Sequence, residues 1–389
     1  MKRIFLTVLA IALATALLLC TVACSSDKTE DDKDGAFVAP DANENVYVGE
    51  SGSFEYELNE EGKCEIIKYS PSSVTTVDIK LPETIDGRDI VGVSADAFKA
   101  ENSIKSVTIP ASYTYVDDYA FFDCDSLEKV TFEGENIITI GTGAFEGCEK
   151  LSSINLPKSV VTVEPFAFKD CSSITSIDLS GSVQTIGEGA FFGCSALKNL
   201  TLSNDVSSVV KSAFTDCTAL NYATYDNALY LGNESNPYLV LISAANLNIT
   251  KCVVNDATKV IAAKAFAGCG YLTSLMLGDS VNIISARCFE GCEELEYNES
   301  ENGRYLGTDE NPYMVLMGLV VPSAEDFTLN VATKIICDVA FDNCASLADI
   351  HFAGTPDEWK AIVKTDTWHN GRTVRIVFPN ENDNIMYNG

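Results

Sequence analysis

Fourteen cysteines and two histidines are the side chains of this sequence best equipped for chemistry, and their spacing decides which chemistry is open to them. Eight of the cysteines, Cys124, Cys148, Cys171, Cys194, Cys217, Cys269, Cys292 and Cys344, recur at a near-constant interval. A zinc site wants paired ligands about two to four residues apart, and this run offers no such pair. Disulfides are what cysteines in an exported chain usually imply. Here each cysteine holds the same slot of a repeat, so neighbours would lie in register with parallel side chains. A ladder of buried thiols is the better reading. Cys64, Cys252, Cys288 and Cys337 fall in apolar surroundings and read alike. The two histidines, His351 and His369, both lie near the C-terminus. No Ser-His-Asp or Cys-His arrangement can be assembled without them. Gly141, Gly143, Gly187 and Gly189 belong to the repeat and not to a phosphate-binding loop. The chain therefore reads as a non-enzyme that needs no cofactor and no metal.

What positions the cysteines is a repeated unit. A phenylalanine precedes each of them by three residues, and the full series is Phe98, Phe121, Phe145, Phe168, Phe191, Phe214, Phe266, Phe289 and Phe341. Successive gaps are 23, 24, 23, 23, 23, 52, 23 and 52 residues. Only the first copy lacks the cysteine, with Glu101 in its place. Leu151, Ile154 and Leu156 put apolar side chains on one side of a short extended run, Val160 and Val163 return, and Ala167-Phe168 closes the turn. One unit later the same slots hold Ile174, Ile177, Leu179, Val183, Ile186, Ala190 and Phe191. A period in the low twenties means a solenoid, whose coils are each too small to bury their own face and gain stability from the stack. Coils should lie about 4.8 Å apart, bringing Phe over Phe and Ile over Ile. Pro110 and Pro157 follow the strand run, where a missing N–H is tolerated.

These units resemble the BspA-type leucine-rich repeats of bacterial surface proteins, which also read apolar-x-x-Ile-x-Leu-Pro, Ile-Gly, then Ala-Phe-x-x-Cys-x-x-Leu. The resemblance spans about residues 54 to 378. It implies a repeat solenoid, a leucine-rich-repeat-like right-handed stack of β-rich coils with short turns. Members of that family are associated with adhesion to host matrix proteins, and the resemblance implies a similar role here.

The ends are different in kind. Lys2-Arg3 and the apolar run that follows read as a signal peptide over residues 1–23. Thr21-Val22-Ala23-Cys24-Ser25-Ser26 resembles a bacterial lipobox, apart from Thr21, where that motif usually has an aliphatic residue. It implies cleavage before Cys24 and a diacylglycerol on its thiol; plain secretion or a retained helix is the alternative. Residues 24–45, dense in Asp, Lys and Glu, read as a flexible tether. Residues 46–96 read as an N-terminal β-hairpin cap and the lead-in to the first coil, with strands around Phe54 to Leu58 and Cys64 to Tyr69. The repeats occupy 97–352. A C-terminal cap covers 353–389, where Thr355, Pro356 and Asp357-Glu358 start a short helix carrying Trp359. Trp359 and Trp368 read as cap core.

Two of the gaps are longer than a unit by 29 residues. The extra segments, at about 221–250 and 296–325, match each other: Leu229-Tyr230-Leu231-Gly232 against Arg304-Tyr305-Leu306-Gly307, and Asn236-Pro237-Tyr238 against Asn311-Pro312-Tyr313. Each reads as strand, turn, strand, a hairpin projecting from its coil. It serves either as an edge that shields the core or as a binding loop.

The formal charge of −30 repels phosphate backbones, so nucleic acid is excluded as a partner. The outward strand slots read Thr108, Thr131, Asn155, Asp178, Thr201, Thr224, Met276 and His351, with Ser106, Lys129, Ser153, Ser176, Asn199, Tyr222, Ser274, Tyr297 and Asp349 beside them. They are mostly small and polar, with no converging carboxylate pairs for acid–base work. Tyrosine is a favoured interface anchor. The candidate contact residues are therefore Tyr222, Tyr225, Tyr230, Tyr238, Tyr297, Tyr305 and Tyr313. The expectation is a lipid-anchored cell-surface protein that binds an extracellular protein or glycan; the alternative is an envelope scaffold with no host ligand.

Overall fold

Two short parallel strands per coil build the stack. The computed structural model describes residues 46–73, 75–365 and 368–388; the signal peptide, Cys24 and the tether lie outside the described residues. One column of strands runs through Arg88–Val93, Tyr115–Val116, Thr139–Ile140, Thr162–Val163, Thr185–Ile186 and Ser208–Val209. Pairing is parallel and slot for slot, Thr139 on Thr162 on Thr185 and Ile140 on Val163 on Ile186. A second column runs through Val77–Lys80, Ile104–Ile109, Lys129–Phe132 and Ser153–Ile154, with Ser106 on Lys129 on Ser153. The β-branched residues that fill these inward slots suit a pleated, packed surface. They are buried in one continuous core with the Ala-Phe turns.

The phenylalanines stack as the period requires. Ring centroids of Phe98, Phe121, Phe145, Phe168, Phe191 and Phe214 follow each other at 4.8, 5.3, 5.4, 5.5 and 5.8 Å, with interplanar angles of 15° or less. Phe266 and Phe289 form a second, shorter stack at 5.6 Å. Backbone bonds run alongside: the N–H of Phe145 donates to the carbonyl of Ala167, and that of Phe168 to Ala190. Tyr69 extends the ladder beyond the first repeat, its ring 5.4 Å from that of Phe98 and its N–H bonded to Ala97.

All twelve described cysteines are buried free thiols. In six of the eight ladder cysteines Sγ donates to the carbonyl of the phenylalanine of the preceding coil, among them Cys148 to Phe121, Cys171 to Phe145 and Cys194 to Phe168, at 3.0–3.1 Å. The same carbonyl also accepts the N–H of the cysteine in its own turn, as Phe145 does from Cys148. Burial pushes the Cys171 thiol well up, so the ladder stays protonated and inert.

A second rhythm, two coils long, lies over the first. Two residues before Phe121, Phe145, Phe168 and Phe191 stand Tyr119, Gly143, Phe166 and Gly189; two residues after them stand Asp123, Gly147, Asp170 and Gly193. All eight have φ between 54° and 78°. A Cβ on Gly143 would meet the Tyr119 ring at 2.5 Å, and one on Gly189 would meet Phe166 at the same distance. A Cβ on Gly147 or Gly193 would fall on the Oδ1 of Asp123 or Asp170. Each aromatic ring and each carboxylate of one coil therefore occupies the space that glycine leaves in the next.

At the N-terminal end, Val46–Val48, Gly52–Leu58 and Cys64–Pro71 pair antiparallel before the third of them joins Arg88–Val93 in parallel. At the other end the helix Pro356–Ala361 has a full capping box, Thr355 and Glu358 bonding each other's backbone N–H. Its Trp359 is fully buried, donates to the Tyr387 hydroxyl at 3.0 Å and packs on Trp368. Two strands, Val374–Val377 and Ile385–Tyr387, close the sheet; the second of them has no counterpart in the sequence reading.

The two inserted segments correct an expectation. Each does contain a hairpin, Ala228–Leu231 with Val240–Ala244 and Gly303–Leu306 with Val315–Leu319, but neither projects. Val240–Ala244 pairs in parallel with Val260–Ile261 and so takes a place inside the column. Its side chains alternate between two cores, Val240 and Ile242 toward the N-terminal one and Leu241 and Ala244 toward the middle one. The second insertion likewise separates the middle core from the C-terminal one. Both segments are partitions, packed on two faces.

Candidate functional site

The outward strand face is the surface the fold presents. Register keeps its ladders straight, Lys80 beside Thr108 beside Thr131, and Ser176 beside Asn199. Polar side chains dominate until the first partition. There Val253 and Met276 stand side by side on strands Lys251–Val253 and Ser274–Met276, 38% and 36% exposed. Tyr225 is 41% exposed. Its neighbour Asp226 accepts the Val253 N–H at 2.7 Å, and Asn227 donates to the Lys251 carbonyl, which ties the turn after Tyr225 to this strand pair. These three residues form an apolar interruption in a polar face.

The seven tyrosines do not share one surface. Tyr230 and Tyr305 are fully buried, which removes them as contact residues. Their hydroxyls accept the N–H of Asn255 and Asn330, equivalent positions 75 residues apart, because a buried phenol needs a partner. Tyr238 and Tyr313 lie edge-on against them, half-buried. Tyr222 and Tyr297 are half-buried against the core, and burial raises the pKa of both. Tyr225 is the one exposed member. Sequence reading placed Met276 on the outward face without weighing it, and overlooked Val253. The signal was there: both are apolar residues in slots that elsewhere hold Lys, Thr, Asn, Asp or His.

One cluster with metal-ligand chemistry occurs among the described residues, Asp326, Asp349 and His351. It lies on the C-terminal strands, with His351 Nε2 3.9 Å from Asp326. The sequence reading had no metal site. Arg375 already engages Asp349 through both nitrogens of its fork and holds that carboxyl below the usual carboxylate range, so the guanidinium occupies the charge a cation would seek. His369 packs against Trp368 and Tyr387. Neither imidazole is hydrogen-bonded to a Ser, Thr or Cys among the described residues, and no described helix is long and apolar enough to cross a membrane.

Comparison with known proteins agrees with the geometry. Residues 91–229 and 244–307 match the model of the BspA type leucine rich repeat region, in six copies. No curated protein matches the chain. Among solved structures, a leucine rich cell surface protein from Faecalibacterium prausnitzii A2-165 is 22% identical, covering 82% of this chain and 98% of its own, with a TM-score of 0.42. A leucine-rich repeat protein from Bacteroides ovatus ATCC 8483 is 18% identical over 86% of this chain and all of its own, TM-score 0.37. The pneumococcal vaccine antigen PcpA is 16% identical over 86% and 94%, TM-score 0.34. With matched repeats over more than half its length, the chain belongs to the BspA-type leucine-rich repeat family.

Proposed function

We propose that this is a lipid-anchored surface recognition protein that binds an extracellular protein or glycan through the outward face of its strands, with Tyr225, Val253 and Met276 at the centre of the contact. The supporting observation is that apolar patch in an otherwise polar ladder: three side chains exposed together where a solenoid with no partner would place polar groups. Family membership supports the surface role. The test is binding of residues 46–389 to an array of host matrix proteins and glycans, beside the triple variant Tyr225→Ser, Val253→Thr, Met276→Thr. Removing the inserted segments would be a poor alternative, because they partition the core. Loss of three outward side chains from an interface centre should weaken binding by about a hundredfold or more. Unchanged binding would move the site elsewhere on the face. No binding to any member of the array would favour an envelope scaffold.

The anchor has its own readout. Mass spectrometry of the membrane-associated protein is expected to find a diacylglycerol on an N-terminal Cys24. An unmodified Cys24 there would overturn the anchor and leave the recognition face untouched.

A further inference from the structure

The two partitions are copies 75 residues apart, so every contact at the first junction has a counterpart to look for at the second. At the first, Val210 and Ala263 form a parallel bridge; Ala263 donates to the Val209 carbonyl at 2.9 Å and Lys211 to that of Ala263 at 3.0 Å. The counterparts are Ser285 and Asp338, with Ile284 and Ala286. None of the three contacts forms there. A small, neutral Ala263 is replaced by the charged Asp338.

Packing follows the same division. Ala213 and Ala262 share one core at the first junction. Their counterparts Cys288 and Cys337 carry an extra sulfur atom each, and fall into different cores, Cys288 into the middle one and Cys337 into the C-terminal one. Phe214 is 4% exposed, whereas its counterpart Phe289 is only half-buried. A recess of about 600 Å³ lies between residues 331–335 and the C-terminal segment from Phe352 to Val363, with Val281 and Asn282 of the preceding coil also lining it. Contact persists elsewhere: Leu277 donates to the Gly307 carbonyl at 2.9 Å, Leu306, Met314, Val315 and Ile335 stay in the middle core, and Met317 packs against both cores.

We propose that the second junction is a hinge, about which residues 303–388 rock open on the side of Cys288 and Cys337 while the Leu277–Gly307 contact holds. Local opening needs less free energy than unfolding and comes first where backbone bonds and packing are fewest.

The buried thiols are built-in reporters. The purified protein is treated with iodoacetamide under native conditions, and alkylation of each cysteine is followed by mass spectrometry and normalised to its rate in denaturant. Cys288 and Cys337 are each 2% exposed, less than Cys217 at 6%. Despite that, a hinge makes both react at least about tenfold faster than Cys217 and Cys269 at the first junction and Cys171 in the ladder. Equal rates at all five would mean that the thiols are reached only by global unfolding, and would overturn the hinge. So would labelling of Cys217 and Cys269 as fast as that of Cys288 and Cys337, since the junctions would then not differ.

Discussion

Replacing Phe168 by alanine is expected to destabilise the solenoid by about 3–5 kcal/mol, among the largest losses available to a single side chain here. The ring is fully buried and lies between those of Phe145 and Phe191, 5.4 and 5.5 Å away and within 8° of parallel to each. Truncation opens a cavity in the middle of the stack and strips a partner from both neighbours, and stacking contacts of this kind are worth about 0.5–1.5 kcal/mol each beyond area. The collapse that softens such cavities in globular cores is limited here, because the coil backbone is fixed by the bonds of Phe168 to Ala190 and of Phe145 to Ala167. Nearest-neighbour coupling then predicts a second effect. The damage concentrates at two coil interfaces, so the coils on either side unfold less cooperatively. Urea unfolding followed by circular dichroism should show a lower midpoint and a shallower slope. The comparison is Phe289→Ala, which removes a half-buried ring with one stacking partner and should cost about half as much or less. A loss under about 1 kcal/mol for Phe168→Ala would show that the ladder is dispensable.

That prediction rests on slots visible in the sequence, and the reason is physical. A 23-residue period forces like onto like, so the Phe, Cys, Ile and Val slots identified their own neighbours before any coordinates. The destination of the thiol hydrogen was not visible, because which carbonyl lies 3 Å from Cys171 depends on how far one coil is offset from the last. The insertions misled for a related reason. Asn-Pro between two extended runs does specify a hairpin, but turn chemistry carries no information on where a hairpin docks. The better signal was the unbroken apolar run Leu239-Val240-Leu241-Ile242, where a half-exposed strand would alternate. Buried on both faces, that strand had to be a partition, and Tyr230 and Tyr305 had to go inside with it. The outward face was least legible, since its slots are constrained only to be compatible with water. Val253 and Met276 stand out only once register places them together.

The two-coil rhythm yields the second large effect, Gly193→Ala, expected to cost about 2–4 kcal/mol from two separable sources. The backbone at Gly193 has φ 72°, where an L side chain costs about 1–2 kcal/mol. The new Cβ would also fall on Asp170 Oδ1, so the carboxylate must leave its position above the glycine. Gly62→Ala isolates the first source, for Gly62 has φ 74° and nothing within 4 Å of the added carbon. A double-mutant cycle isolates the second. In an Asp170→Gly background the collision disappears and only the backbone cost remains, leaving a coupling of about 1 kcal/mol or more. Additivity within error would mean that the two positions ignore each other, and that the alternation of Asp with Gly is chance. Coupling would mean that the structural unit is a pair of coils. The charge pattern argues for the pair as well. An aspartate at this slot in every coil would stack carboxylates at the coil spacing in a chain that already carries −30, whereas alternation doubles their separation. From Asp123 to Asp216, glycine in every second coil therefore makes room for the side chain before it and keeps a second carboxylate from standing beside the first.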